Sequence, residues 1–456
     1  MNIFDCKHIH FTGIKGVAMT ALALCAQDLA IGISGSDVEE EFVTDEILKD
    51  RGITWNVGFS PDNLVPKPSL LITTGAHGGL NNPEVLAAKE LGIPVLTHAE
   101  ALAKFSSGKN VVTVCGVGGK TTTASMIAHL LATAGKRPSF AIGVGNIFPL
   151  GTPGRFEHKG KEFVTEADEF AVSPGIDNRP RFIFQNPKVL VVTNIEHDHP
   201  DIYPTFEDTK KVFIEFVNKV PQDGLLLACI DNENVRELLK SVNRSMRVQT
   251  YGFDKKADWV VDKMDFELNI PGNYNKLNAA AAIAVCKFLG VDMDSLKAGV
   301  KTYEGCKRRI EKIGEKKGVL YYDDYAHTPH EIKSVLQAVK EYYPNKKIVC
   351  TFQPHTYSRT KALWKGFAKA FNDADYVGVI DIYSSRESDK LGVSSEKLAG
   401  EIKKNHPTPK NVGYGGSLQD AADWLKGNLE KGEICLTLGA GDVYKIHKVL
   451  GVIASP

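Results

Sequence analysis

A glycine turn, a lysine and a threonine form the stretch with the clearest chemical signature. Gly116, Gly118 and Gly119 allow backbone N–H groups to turn inward as an anion-binding nest. Lys120 follows directly and would neutralise the β- and γ-phosphates, while the Thr121 hydroxyl would ligate Mg²⁺. The stretch therefore predicts an ATP site. The alternative is an incidental tight turn.

The residues on either side of this turn predict a strand and a helix. Val111–Val114 is β-branched, as in a strand buried on both faces, and Thr123–Leu131 has apolar residues at helical spacing. A helix that starts at the turn would add its positive dipole end to the nest. Val117 and Thr122 complete the loop that we expect to contact ATP.

Two acidic clusters follow apolar runs farther along the chain. Their members are Glu166, Asp168 and Glu169, then Glu196, His197, Asp198, His199 and Asp201. Because the carboxyl ends of neighbouring parallel strands share one crevice, both clusters should meet the phosphate loop. Oxygen donors with one or two imidazoles favour Mg²⁺ over zinc. For each acid, the alternative is an exposed cap.

A second strand, glycine turn and helix begins near residue 8. Its pattern, Gly13-x-x-Gly16-x-Ala18, is related to a dinucleotide fingerprint but lacks the G-x-G opening. Asp37 lies where a second strand would end, and it could accept a ribose or sugar hydroxyl. The pattern predicts a nucleotide pyrophosphate at the helix start. The alternative is a turn that only packs a helix on a sheet.

Three further polar residues have candidate roles. Asn275 and Asn278 begin a predicted helix, and an amide suits an adenine edge, although helix capping is the alternative. Arg359 lies beyond a strand end, where it could clamp a carboxylate or pair with a surface acid.

Composition limits the class of protein. The 456 residues suggest about three domains. Lys plus Arg and Asp plus Glu are both 55, so no global field attracts nucleic acid or anionic lipid. The eight cysteines are scattered, as expected in a reducing cytoplasm, and no apolar run reaches the ~20 residues of a membrane span. We expect a cytoplasmic protein that binds no nucleic acid and does not insert into membranes.

Taken together, the motifs resemble the Mur ligase family, the ATP-dependent amide ligases that build the peptidoglycan precursor. The resemblance covers the whole chain. It includes the loops at 13–19 and 116–122, Glu166-Ala-Asp-Glu169, Asn194-Ile-Glu-x-Asp-His199, Asn275-x-x-Asn278-Ala, Lys307-Arg-Arg309, Asp323-Asp-Tyr-Ala-His327-x-Pro329, Phe352-Gln-Pro-His-Thr-Tyr-Ser-Arg-Thr360 and Leu438-Gly-Ala-Gly-Asp442.

The resemblance implies an α/β fold with three domains. They are a Rossmann-like domain for the UDP-sugar (1–108), a P-loop ATPase-type domain with a mostly parallel sheet (109–304), and a dinucleotide-binding-like domain that closes over the nucleotide (305–456). The implied reaction joins L-alanine to the lactyl carboxylate of UDP-N-acetylmuramate through an acyl phosphate, with ATP as co-substrate and Mg²⁺ as cofactor. The implied assembly is a monomer or a homodimer.

The resemblance also implies roles for individual residues. Lys120 would contact the phosphates, and Thr121, Glu166 and His199 would bind Mg²⁺. The remaining ATP contacts would be Asn278, at adenine, with Arg309, Asp323 and Asp324. The UDP-sugar would be bound by Gly13, Ile14, Lys15, Gly16, Val17, Asp37 and Thr74. The acyl centre and the incoming alanine would be faced by Tyr325, His327, His355 and Arg359, with His199 or His327 as a candidate base.

The chain departs from the family pattern in the phosphate loop. Val117 stands where a threonine is usual and Gly118 where a polar residue follows, so one hydroxyl donor is lost and we expect weakened ATP use. The stretch 169–181 is also atypical, and it resembles the sister ligase that attaches a recycled peptide. A nucleotide-binding scaffold with impaired turnover is a further alternative, whereas a nicotinamide oxidoreductase would leave Gly-Lys-Thr and the acidic clusters unexplained.

Overall fold

A computed structural model describes residues 2–197, 199, 202–243, 245–385 and 387–452. The chain divides into two compact units, Met1–Asn269 with Asn275–Lys307, and Ile270–Tyr274 with Arg308–Pro456. The three domain ranges expected from the sequence stay predictions.

The first sheet of the larger unit is parallel and five-stranded, in the order β3-β2-β1-β4-β5. Its strands are β1 (His8–Thr12), β2 (Gly32–Asp37), β3 (Asn56–Val57), β4 (Leu70–Thr73) and β5 (Val95–Thr97). Its helices are α1 (Val17–Asp28), α2 (Asp45–Asp50), α3 (Pro83–Glu90) and α4 (His98–Phe105). Two parallel strands can be joined only by a crossover connection, so strands and helices alternate along this part of the chain.

The second sheet of this unit has eight strands in the order β15-β14-β13-β12-β6-β9-β7-β8, all parallel except the β7–β8 pair. Its strands are β6 (Asn110–Cys115), β7 (Ser139–Ala141), β8 (Gly154–Arg155), β9 (Glu162–Ala167), β12 (Val189–Val192), β13 (Leu225–Cys229), β14 (Val248–Gly252) and β15 (Trp259–Val260). A separate antiparallel hairpin is formed by β10 (Ala171–Ser173) and β11 (Asp177–Pro180). The helices are α5 (Lys120–Thr133), α6 (Phe206–Val217), α7 (Glu233–Leu239), α8 (Asn273–Phe288) and α9 (Met293–Lys301).

The smaller unit has a six-stranded sheet in the order β16-β17-β21-β18-β19-β20, parallel apart from the β16–β17 pair. Its strands are β16 (Glu311–Lys316), β17 (Val319–Asp324), β18 (Ile348–Phe352), β19 (Tyr376–Ile380), β20 (Val412–Gly416) and β21 (Ile434–Leu438). Its helices are α10 (Pro329–Tyr342), α11 (Tyr357–Ala362), α12 (Trp364–Phe367), α13 (Ser395–Asn405), α14 (Leu418–Asn428) and α15 (Ile446–Val449).

The central strands are apolar on both faces because helices cover both faces of each sheet. All four residues of β12 are fully buried, as is Val112 in the neighbouring β6. The predicted α/β class with mostly parallel sheets is confirmed. Within the described ranges, no helix is long and apolar enough to cross a membrane.

Candidate active site

The phosphate loop joins β6 to α5 and rests on the segment that follows β12. Gly116 and Gly119 have φ of +127° and +81°, a region that favours glycine. A Cβ on Gly116 would collide with the Thr193 side chain and the Asn194 backbone. The N–H of Gly118 donates to Asn194 Oδ1 at 2.9 Å, and that of Val117 donates to Asn194 O at 3.3 Å. Neighbouring strands therefore shape this loop, and two of its amides are engaged by Asn194.

Lys120 lies at the start of α5 and bridges the loop and Glu169, an acid that follows the adjacent strand β9. Its Nζ donates to Gly116 O at 2.6 Å and lies 3.1 Å from Glu169 Oε2, with the lysine side chain 17% exposed. Burial alone would lower the pKa of Lys120, but the carboxylates of Glu169, Asp168 and Glu166 raise it. The ammonium is therefore charged at neutral pH and available to a phosphate.

Thr121 and Glu166 form a hydroxyl–carboxylate pair beside the loop. Thr121 Oγ1 donates to Glu166 Oε2 at 2.8 Å, and the Gly143 N–H donates to Glu166 Oε1 at 2.8 Å. Among the described residues, no group of three or more His, Cys, Asp or Glu could hold a metal. Mg²⁺ nevertheless needs only one or two carboxylates when substrate phosphates and water fill its other positions. The pair fits a magnesium ion of that kind.

His199 lies at the same sheet edge as Lys120. Its ring centroid is 4.6 Å from that of Phe170, the residue directly after Glu169. Burial raises the pKa of Glu169, which is 3% exposed, and the Lys120 ammonium opposes that rise. The two acidic clusters thus meet at Glu169, as expected from the parallel topology. Asp198 and Asp201 lie outside the described residues.

The Asn278 amide lies against the phosphate loop. Its Oδ1 accepts from Thr123 Oγ1 at 3.1 Å, and its Nδ2 donates to Asn275 Oδ1 at 3.1 Å. A Cβ on Gly119 would lie 2.7 Å from Asn278 Oδ1. This buried amide supports the loop, and the adenine contact stays a prediction. Thr122 is also buried, at 8% exposed.

The glycine turn after β1 forms the second loop of the larger unit. Gly13 has a φ of +80°, and a Cβ there would lie 2.5 Å from the Thr74 side chain. Gly16 caps α1, which begins at Val17. A Cβ on Gly143 would lie 3.5 Å from Glu166 Oε1 and 3.9 Å from a methyl of Val17. The start of α1 therefore lies beside Glu166, and the two loops share one region of the molecule.

Three side chains that were expected to bind the UDP-sugar at this second loop are buried. Asp37 is 1% exposed, and its oxygens accept from the N–H groups of Lys15 and Val38, so it holds the turn. The Lys15 ammonium lies 4.9 Å from the Phe42 ring centroid and donates to Glu40 O. The Ile14 side chain is fully buried. The contacts of these three residues with the UDP-sugar stay predictions.

Asp323, expected at the ATP site, is buried in the smaller unit. Its carboxylate is fully buried and accepts from Arg308 Nε at 2.8 Å and from Thr437 Oγ1 at 2.5 Å, and its contact with ATP stays a prediction. An isolated buried charge is costly, so the ion pair of Asp323 with Arg308 stabilises both groups inside the smaller unit. Arg309 lies nearby, with its guanidinium carbon 5.3 Å from the Tyr325 ring centroid.

Asp324 is buried beside that pair and offers a pH prediction. Its oxygens accept from the N–H groups of Ile310 and Ala326 at 2.7 Å, and burial, opposed by Arg309, raises its pKa to about 6. The folded protein therefore binds a proton between about pH 4 and pH 6 that the unfolded chain has lost, so Asp324 lowers the free energy of unfolding as the pH rises.

The Asp324→Asn variant removes this contribution. Its free energy of unfolding relative to wild type should increase between pH 4 and pH 7 by up to about 3 kcal/mol. Urea unfolding followed by circular dichroism at both pH values measures the change. A difference between the two proteins that is constant with pH would contradict the assignment.

Four predicted residues gather at the carboxyl ends of β17 and β18. The His327 ring centroid lies 5.4 Å from that of Tyr325 and 6.2 Å from that of His355, while His355 Nδ1 is 3.0 Å from the Arg359 guanidinium. Burial, followed by the charges of His327 and Arg359, lowers the pKa of His355 to about 3. Burial also lowers the pKa of His327. Both imidazoles are therefore neutral at pH 7, beside a charged guanidinium.

Two further residues complete this cluster: Glu331 was missed in the sequence, and Tyr383, at a strand end that resembles the family, was not assigned to the site. Tyr383 stacks on His355, with ring centroids 5.6 Å apart, and Glu331 Oε2 lies 3.4 Å from His327 Nδ1. Glu331 also completes a capping box with Thr328. That box has a readable pattern, T-x-x-E before an apolar helix face. No local pattern brings Tyr383 to His355, because they come from different strands.

Comparisons with known proteins agree with this arrangement. Residues 8–110 match the Mur ligase family catalytic domain, 114–286 the Mur ligase middle domain and 308–441 the Mur ligase glutamate ligase domain. UDP-N-acetylmuramate–L-alanine ligase of Alkaliphilus metalliredigens is 36% identical, over 99% of this chain and 98% of its own. The same-named protein of Carboxydothermus hydrogenoformans is 37% identical, over 97% of this chain and 96% of its own.

Solved structures show the same likeness. The UDP-N-acetylmuramate–alanine ligase of Thermotoga maritima superposes with a TM-score of 0.79 at 26% identity, and 98% of each chain is covered. A murein peptide ligase of Psychrobacter arcticus gives 0.70 at 22% identity, over 99% of this chain and 100% of its own. At 22% identity, the similarity to the murein peptide ligase shows a shared fold and nothing more.

Proposed function

This chain belongs to the Mur ligase family, and from that membership we propose that it joins L-alanine to the lactyl carboxylate of UDP-N-acetylmuramate while ATP is converted to ADP and phosphate. The observation that carries the proposal is the meeting of the phosphate loop, the Thr121–Glu166 pair and the start of α1. That meeting supports a site in which a triphosphate and a nucleotide sugar lie side by side.

The proposed chemistry has two steps. A carboxylate is a poor electrophile for an amine, because oxide would have to leave. A lactyl carboxylate oxygen therefore attacks the γ-phosphorus of ATP, and ADP leaves with the electron pair of the broken bond. The neutral amine of alanine then attacks the acyl carbon of the resulting acyl phosphate, phosphate leaves, and the amine loses a proton.

In the first step, the protein's task is to place and neutralise charge. The Lys120 ammonium is held at Gly116 and Glu169, where it can exchange these partners for phosphate oxygens. Thr121 and Glu166 would hold Mg²⁺, which supplies further charge neutralisation when bound. The positive end of α1 suits the pyrophosphate of the sugar nucleotide.

In the second step, we assign the amino acid to the smaller unit. Arg359, hydrogen bonded to His355, is the candidate for the alanine carboxylate. An attacking amine must be neutral, and its proton needs an acceptor. His327, which is neutral at pH 7, and His199 are the two candidate bases.

Product analysis with different amines tests the proposal. With UDP-N-acetylmuramate, ATP and Mg²⁺, L-alanine should give ADP, phosphate and a new amide in equal amounts, and phosphate release without an amine should stay low. Glycine, L-serine and a murein tripeptide are the comparison acceptors. Preference for the tripeptide would indicate the sister activity, and nucleotide binding without phosphate release would indicate a scaffold.

A further inference from the structure

The hairpin β10–β11 brings an arginine to the region between the two loops. The hairpin follows Asp168 and Glu169, and Arg181 is the first residue after it. A Cβ on Gly75 would lie 2.5 Å from Val172 O and 3.1 Å from the Arg181 guanidinium, so the hairpin packs directly on the loop that carries Thr74. The Leu80 N–H also donates to Ser173 Oγ at 3.4 Å.

Arg181 is held in place but keeps donors for a ligand. Its NH1 donates to Asp168 Oδ2 at 3.0 Å and its Nε to Ala171 O at 3.2 Å, while 24% of the side chain is exposed. The Asp168 side chain is 39% exposed, so the pair lies at an accessible surface. A guanidinium has five N–H donors in a planar fork. Those that remain can bind a second carboxylate.

Arg181 lies near the turn that leads into α1. A Cβ on Gly75 would be 3.1 Å from its guanidinium, and Gly75 directly follows Thr74, whose side chain a Cβ on Gly13 would meet at 2.5 Å. Gly13 lies in the turn before α1, which begins at Val17. Through its pair with Asp168, Arg181 also lies beside the acids that follow β9.

A carboxylate ligand at this location must overcome repulsion. Glu166, Asp168 and Glu169 already supply negative groups, and the Lys120 ammonium, held at Gly116 and Glu169, is assigned to the phosphates of ATP. A substrate acid that approaches the triphosphate needs a further cation to offset repulsion. Arg181 provides one, with geometry suited to a carboxylate.

We propose that Arg181 binds the carboxylate of the sugar nucleotide that is to be activated. It recognises the acid, orients one oxygen toward the γ-phosphate and distinguishes a muramic acid from a sugar without the lactyl group. This inference rests on the proposed function and adds a specificity residue to it.

Binding of two sugar nucleotides to three proteins tests this role. Isothermal titration with UDP-N-acetylmuramate and with UDP-N-acetylglucosamine, which lacks the lactyl carboxylate, separates the acid from the rest of the ligand. Arg181→Ala should weaken binding of UDP-N-acetylmuramate by ~10- to 100-fold, the size expected for a charged hydrogen bond, and change UDP-N-acetylglucosamine binding by less than about threefold. Arg181→Lys, which keeps a point charge, should lie between Arg181→Ala and wild type.

Arg179 provides a matched control on the same hairpin. It pairs with Asp177 at 2.7 Å and is 63% exposed, so Arg179→Ala should leave both affinities unchanged. Equal weakening of both ligands by Arg181→Ala, or no weakening of either, would overturn the role of Arg181. Failure of the proposed function is distinguishable, because wild type would then form no amide from UDP-N-acetylmuramate.

Discussion

Replacing Lys120 by alanine is expected to reduce kcat for phosphate release by about a thousandfold or more, while affinity for the sugar nucleotide stays within about threefold. The ammonium is the cation that lies on the phosphate loop, held by Gly116 O and Glu169. Its removal leaves the transferred phosphoryl group opposite three carboxylates. The expected binding site of the sugar nucleotide, at the start of α1, does not include Lys120, so its affinity should be retained.

The measurement is steady-state release of phosphate combined with titration of UDP-N-acetylmuramate. Lys287→Ala is the matched control, since Lys287 is exposed in the last turn of α8. It should behave as wild type. Equal loss of turnover and of sugar-nucleotide binding in Lys120→Ala would contradict the separation of the two loops.

Glu166→Gln is expected to lower kcat by about a hundredfold and to raise the Mg²⁺ concentration needed for half-maximal rate. The amide can still accept from the Gly143 N–H, so the local fold should persist while the charge opposite Thr121 is lost. A neutral oxygen is a weaker ligand for a hard divalent cation than a carboxylate.

Glu162→Gln provides the control for this variant. Glu162 is the first residue of the same strand, β9, and therefore lies at the end of the strand away from the phosphate loop. Its side chain is buried. Titration of activity with Mg²⁺ should leave this variant close to wild type. Wild-type turnover and Mg²⁺ dependence in Glu166→Gln would exclude Glu166 from the metal site.

The elements around the phosphate loop could be predicted because their signals are local. A β-branched run, three glycines and a helical apolar spacing specify β6, the turn and α5 without reference to the rest of the chain. The convergence of Glu166 and Glu169 on that loop followed from a general property of parallel sheets.

The direction of polar side chains beside a glycine turn could not be predicted. Lys15, Asp37 and Asp323 were each predicted to contact a ligand, and each is buried with partners from the protein itself. Whether such a residue faces ligand or core depends on distant contacts, such as Phe42 around Lys15 or Thr437 beside Asp323. The ion pair of Lys120 with Glu169 similarly joins residues 49 positions apart.

Isotope transfer is the most direct test that the triphosphate and the sugar acid meet at one site. UDP-N-acetylmuramate labelled with ¹⁸O in the lactyl carboxylate is incubated with ATP, Mg²⁺ and L-alanine, and the released phosphate is analysed by mass spectrometry. One ¹⁸O atom should appear in phosphate for each amide formed, because the carboxylate oxygen that attacks the γ-phosphorus leaves with it. Phosphate that carries only ATP and water oxygen would contradict a shared site.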